Sequence, residues 1–128
     1  MKSSAEIRKI AKETILLEVD AISKLQNRIE DDFVNVISLI LNAKGRLIVV
    51  GIGKSANIAN KMVATFNSTG QPAIFVHAAD AIHGDLGNIQ SGDVVICISK
   101  SGNTAEITAL LPLIKNMGNS IIALVGNM

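Results

Sequence analysis

The sequence has no tryptophan and no tyrosine, and only three phenylalanines in 128 residues. Proteins that hold single-stranded nucleic acid stack bases on aromatic side chains, so this composition speaks against that class. An excess of one charge is missing as well. Twelve basic residues against eleven acidic ones leave a formal net charge of +1, too little to draw in nucleic acid or an anionic membrane. Cys97 is the one cysteine, so no disulfide framework is possible within the chain. Its place inside an apolar run marks it as a small buried strand residue, and a reducing cytoplasm is the expected compartment. The first twelve residues are charged and lack the apolar stretch of a signal peptide. No run approaches the ~20 apolar residues that a membrane-spanning helix requires.

What remains is a chain rich in aliphatic residues. It is 48% hydrophobic and 18% charged, a balance that gives a packed core rather than disorder, and its length suits one domain over 1–128. Two stretches differ in pattern. Over residues 1–44, Ile7, Ile10, Ile15, Ile22, Leu25 and Ile29 recur at helical spacing. Asp31 and Asp32 are placed to cap a second helix, with Gly45 as its left-handed stop. These helices are expected to pack on the rest of the chain or on a partner subunit.

Over residues 45–128 short apolar runs take over: Leu47–Val50, Ala73–Val76, Val94–Ile98 and Ile121–Val125. They are continuous rather than alternating, as strands buried on both faces should be. Helix candidates lie between them, near Ser55–Ser68 and Thr104–Met117. The alternation predicts an α/β fold with a doubly wound parallel sheet, whose ligand crevice lies at the carboxyl ends of the strands. The sequence stops at Met128, directly after the fourth strand, which reads as a fold cut short.

Polar residues gather at three strand ends. After the first strand comes Gly51-Ile52-Gly53-Lys54-Ser55. It is not a P-loop, because position 48 is Ile48 where that pattern needs glycine. A dinucleotide fingerprint would have its third glycine at Ala56; some variants accept alanine there, so that reading stays open. After the second strand, His77, Asp80, His83 and Asp85 fall within nine residues, at a spacing that matches no common zinc pattern. Imidazole suits proton transfer near neutral pH. After the third strand comes Ser99-Lys100-Ser101-Gly102-Asn103-Thr104-Ala105-Glu106. Three hydroxyls and a glycine ahead of a helix exceed what capping needs and form a cradle for one tetrahedral anion. Glu106 falls in the first helical turn, where it would face a sugar whose phosphate lay on the loop.

Ser99–Thr104 resembles the phosphate loop of sugar isomerase (SIS) domains. Gly51-Ile52-Gly53-Lys54-Ser55, the segment Ala64–Gly70 and His83-Gly84-Asp85-Leu86-Gly87 narrow the resemblance to the D-arabinose-5-phosphate isomerase branch, whose product feeds Kdo synthesis for lipopolysaccharide or capsule. The resemblance implies a flavodoxin-like SIS fold that interconverts ribulose 5-phosphate and arabinose 5-phosphate without a cofactor or metal. It implies that Ser99, Lys100, Ser101, Gly102 and Thr104 hold the phosphate, with Gly53 and Ser55 near the sugar. Lys54, His83 and Glu106 match family positions implicated in the active site. It also implies a cytoplasmic homo-oligomer, a tetramer or dimer, with sites shared between subunits. The family's domain continues with a further strand and helix carrying another Glu and His, and Asp80 stands where many relatives have Glu. The alternative is a non-catalytic sugar-phosphate sensor, which would keep the hydroxyl loop and lose the acid–base residues; here Lys54, His83 and Glu106 are all present.

Overall fold

The computed structural model describes residues 2–126, which divide into two compact units, one ending at Ile37 and the other beginning at Ser38. In the first unit, helix α1 (Ser4–Leu25) opens with a reciprocal capping box. The Glu6 amide donates to Ser3 Oγ at 3.3 Å and the Ser3 amide to Glu6 Oε2 at 2.7 Å, so two otherwise unpaired N–H groups are satisfied. These contacts also hold the Glu6 carboxyl below its usual range, the backbone bond at Ser3 being the larger cause. The helical pattern does not run through Ile29. Gln26–Arg28 tighten into a 3-10 turn, and Ile29 has φ −85° and ψ 87°, outside the helical region. Helix α2 (Asp31–Leu41) then begins; Asp31 and Asp32 lie inside its first turn, where their charge suits the helix dipole.

The second unit contains a four-stranded sheet made from β1 (Leu47–Gly51), β2 (Ala73–His77), β3 (Val94–Ser99) and β4 (Ser120–Val125). All pairings are parallel and the order is β2-β1-β3-β4, the doubly wound arrangement that the alternating runs predict. The connections carry α3 (Lys54–Ser68), α4 (Ala78–Ile82) and α5 (Ala105–Asn116). Alternation along the strands sorts the core. Ile48, Val50, Val76, Val95 and Cys97 face the side where α4 and α5 supply Ala78, Ala81, Ile107, Leu110 and Ile114. Leu47 and Val49 are equally buried on the other side, and α3, packed on β1 and β2, brings the small residues Ala56 and Ala59 inward. Each fully buried Leu, Ile or Val contributes roughly 1.5–3 kcal/mol.

Burial on both faces holds for β1 and β3, the central strands, but not for β4, where Ile122 alone is buried. Among the described residues β4, like β2, lies at an edge of the sheet and pairs with one strand instead of two. Gly45 is not a left-handed helix stop, since its φ is not positive. Its amide donates to Gly92 O at 3.0 Å, and a Cβ there would come within 2.7 Å of the Asp93 amide nitrogen. Glycine at this position permits a close backbone approach.

Beside Gly45, Asp93 ties the strand starts together. This carboxylate is buried and accepts from the Arg46 amide at 2.7 Å, the Arg46 guanidinium at 2.9 Å and the Gln90 amide at 2.8 Å. Arg46 also donates to Asn88 O at 2.9 Å, while Asn119 Nδ2 donates to the carbonyls of Gln90 and Asp93 at 2.8 and 2.9 Å. Residues just before β1, β3 and β4 are thereby joined at the amino end of the sheet.

Cys97 lies in the middle of β3, and burial pushes its thiol up to about 11. A neutral buried thiol is a poor nucleophile. Iodoacetamide at pH 8 should therefore leave the folded protein unmodified and add one carbamidomethyl group after urea unfolding, as read by intact mass.

Candidate anion-binding site

In this strand order the chain leaves β1 toward one edge and β3 toward the other, so the carboxyl ends of β1 and β3 form the topological switch point. Adjacent strands lie about 4.8 Å apart, which puts the loops leaving β1 and β3 side by side.

At the end of β1, Gly51 is buried, and a Cβ there would lie 2.9 Å from Ser55 O and 3.0 Å from the Ala56 amide nitrogen. The first turn of α3 folds that closely over the strand end. Gly53 has φ 58° and ψ −130°, a conformation that L side chains rarely adopt, with open space around it. The turn delivers Lys54 as the exposed first residue of α3 and leaves Ser55 half-buried behind it.

At the end of β3, Ser99 is buried and its Oγ lies 2.8 Å from Thr104 Oγ1. Thr104 is the N-cap residue of α5, yet its side chain makes no capping bond; its hydroxyl is held by Ser99. The loop between them is tightened by the Gly102 amide donating to Ser99 O at 3.2 Å and the Asn103 amide donating to Ser101 Oγ at 3.2 Å. Gly102 has φ 74°. Neither α3 nor α5 has a side-chain cap, in contrast to the complete capping box of α1. Apart from the Ala56 amide, which donates to Gly53 O at 3.1 Å, the first-turn N–H groups of both helices at the switch point are therefore available to an anion.

The sequence-predicted residues are distributed as follows. Ser99 and Thr104 are in direct contact, and Lys100, Ser101 and Gly102 share their loop. Gly53, Lys54 and Ser55 belong to the loop and helix leaving the adjacent strand, and Glu106 is half-buried in the first turn of α5. His83 is exposed and terminates α4, its amide donating to Asp80 O at 3.0 Å. The helix α4 packs on α5, which brings the His83 segment to the same side of the sheet as Glu106. Among the described residues, the side chains of Lys54, His83 and Glu106 make no hydrogen bond or ion pair with one another.

His77 ends β2 in register with Gly51. Its Nδ1 is buried without a hydrogen-bond partner and lies 3.7 Å from Asp80 Oδ2, beyond hydrogen-bonding distance. The sequence signal for it was present in the histidine pair, but nothing there separated His77 from His83.

The SIS domain profile matches residues 39–128. The arabinose 5-phosphate isomerase KdsD of Pseudomonas aeruginosa is 53% identical over 117 residues, covering 91% of this chain and 36% of that protein. A probable arabinose 5-phosphate isomerase of Haemophilus influenzae is 50% identical over 119 residues, covering 93% of this chain and 35% of its own length. The chain thus spans about a third of the curated relatives it matches. Among solved structures, an Escherichia coli CFT073 protein in complex with A5P superposes with a TM-score of 0.91 at 40% identity, over 97% of this chain and 66% of that one. With the parallel sheet, the switch-point loops and the profile in agreement, the chain belongs to the SIS domain family.

Proposed function

We propose that this chain carries the sugar-phosphate site of an aldose–ketose isomerase that interconverts D-arabinose 5-phosphate and D-ribulose 5-phosphate. The observation that carries the reading is the paired hydroxyls of Ser99 and Thr104 beside two uncapped helix starts at the switch point. The identity to arabinose 5-phosphate isomerases supplies the sugar. Hydroxyls and backbone N–H groups suit a phosphate that must be held and released, since no fixed cation has to be stripped from it.

The reaction moves the C2 proton of the aldose to C1 through an enediol, while a hydroxyl proton passes from O2 to O1. It requires a base beside the carbons and a positive group for the developing oxyanion. Glu106 is the proposed base and Lys54 the proposed oxyanion partner, with His83 in ring opening or proton relay. Ser55 and Gly53 border the sugar, and Ser101, Gly102 and the backbone of Lys100 complete the phosphate cradle. No cofactor enters the scheme. The proposed setting is a cytoplasmic homo-oligomer supplying Kdo synthesis.

The test incubates the chain with ribulose 5-phosphate and looks for arabinose 5-phosphate. Formation of the aldose supports the isomerase reading. Saturable binding of the substrate without turnover favours a sugar-phosphate-binding module instead, and absence of binding removes both. Thr104→Val should weaken substrate binding at least tenfold, because a hydrogen bond to a charged group contributes about 1.5–3 kcal/mol.

A further inference from the structure

We propose that Gly126 is a positioning residue of the anion loop, fixing the direction in which the Ser101 N–H points. The inference rests on reading Ser99–Thr104 as that loop. Gly126 follows β4, and its amide donates to Lys100 O at 3.1 Å. Ser99 and Val125 are register partners, so a regular parallel ladder would send the Gly126 amide to Ser99 O; it goes one residue further, to Lys100 O, while Ser99 O accepts from the Gly102 amide. The Lys100 carbonyl and the Ser101 N–H belong to one planar trans peptide and point in opposite directions. Holding the carbonyl toward β4 turns the Ser101 N–H away from β4, to the β1 side where the crevice lies. Among the described residues that N–H donates to no acceptor, which leaves it for a ligand.

The need for glycine at 126 comes from contact, not from backbone conformation. Its φ is not positive, so any residue suits the backbone there. A Cβ, however, would come 2.8 Å from the Lys100 carbonyl oxygen, the very atom that the Gly126 amide holds. Alanine must therefore displace the carbonyl, the peptide rotates with it, and the Ser101 N–H loses its aim.

Inorganic phosphate is the probe, with the backbone amides of the full chain followed by NMR. In the native sequence the Ser101 and Gly102 amides should shift on titration. Gly126→Ala should bind phosphate at least tenfold more weakly and lose the Ser101 shift, while the Val95 and Cys97 amides stay at their native positions. Native affinity in this variant, with Ser101 still shifting, overturns the role of Gly126 and leaves the loop reading intact. A native chain whose loop amides ignore phosphate overturns both. A second measurement needs no variant. Since phosphate would bind only the pinned loop, saturating phosphate must by linkage strengthen the pin. Hydrogen exchange at the Gly126 amide should slow at least tenfold; exchange unchanged by saturating phosphate refutes the coupling even if the alanine variant misfolds.

Discussion

Replacing Lys54 with alanine is expected to lower turnover of ribulose 5-phosphate by about two to three orders of magnitude, the usual cost of removing one group that stabilises an oxyanion. The expectation follows from placement. Gly53, in its left-handed conformation, ends the turn after β1, and Lys54 opens α3 beside the loop that leaves β3. The phosphate contacts assigned to Ser99, Ser101 and Thr104 lie on that other loop, so the alanine variant should bind phosphate within about threefold of the native affinity. A loss in kcat with little change in phosphate binding is the signature of a group that acts on the transition state. Unchanged turnover would remove Lys54 from the chemistry. Arginine is not expected to rescue, because its planar fork is bulkier and differently hydrated than an ammonium.

The second large effect concerns stability. Asp93→Ala should destabilise the fold by about 2 kcal/mol, measured as a lower midpoint in urea, because removing this buried carboxylate leaves two backbone amides without their acceptor and deprives the partly exposed Arg46 guanidinium of its partner. The donors are the Arg46 and Gln90 amides and the Arg46 guanidinium. Burial alone would raise the Asp93 carboxyl, but the Arg46 side chain, the two amides and the Arg46 charge outweigh it and hold it below the usual carboxylate range. A depressed carboxyl contributes stability that is complete above the unfolded value, about 3.9, and is lost as pH falls through the folded value. The gap between native and variant stability should thus be constant from pH 5 to 8 and shrink below about pH 4. A gap that persists unchanged at pH 2.5 would place the stabilisation in packing rather than in the ionised carboxylate.

These two residues differ in how far the sequence exposed them. Lys54 was legible because Gly51, Gly53 and the apolar run before them fix a strand, a turn and a helix start within a few positions. The same local logic revealed the β-branched strands and the Ser99–Thr104 loop. Asp93 was not legible, since its meaning depends on Arg46, 47 residues earlier, and no periodicity links residues so far apart. Gly45 was misjudged for the same reason. Its position after a helix suggested a left-handed stop, whereas the constraint comes from the backbone of Gly92 and Asp93. The five-residue helix α4 was missed because Ala78–Ile82 is too short to show a helical period. Gly126 was invisible because its constraint, the Lys100 carbonyl, lies in the loop after β3, 26 residues earlier.

The Asp93 tie joins the strands where they begin, and the Ser99–Thr104 loop sits where they end. A strand of six residues such as β3 separates the two by roughly 20 Å, at about 3.3 Å per residue. Substitutions that far apart and without shared partners combine additively. Robustness and ligand recognition are therefore separate dials in this sheet. A library that strengthens the strand starts can offset destabilising changes at the crevice without retuning what the crevice holds.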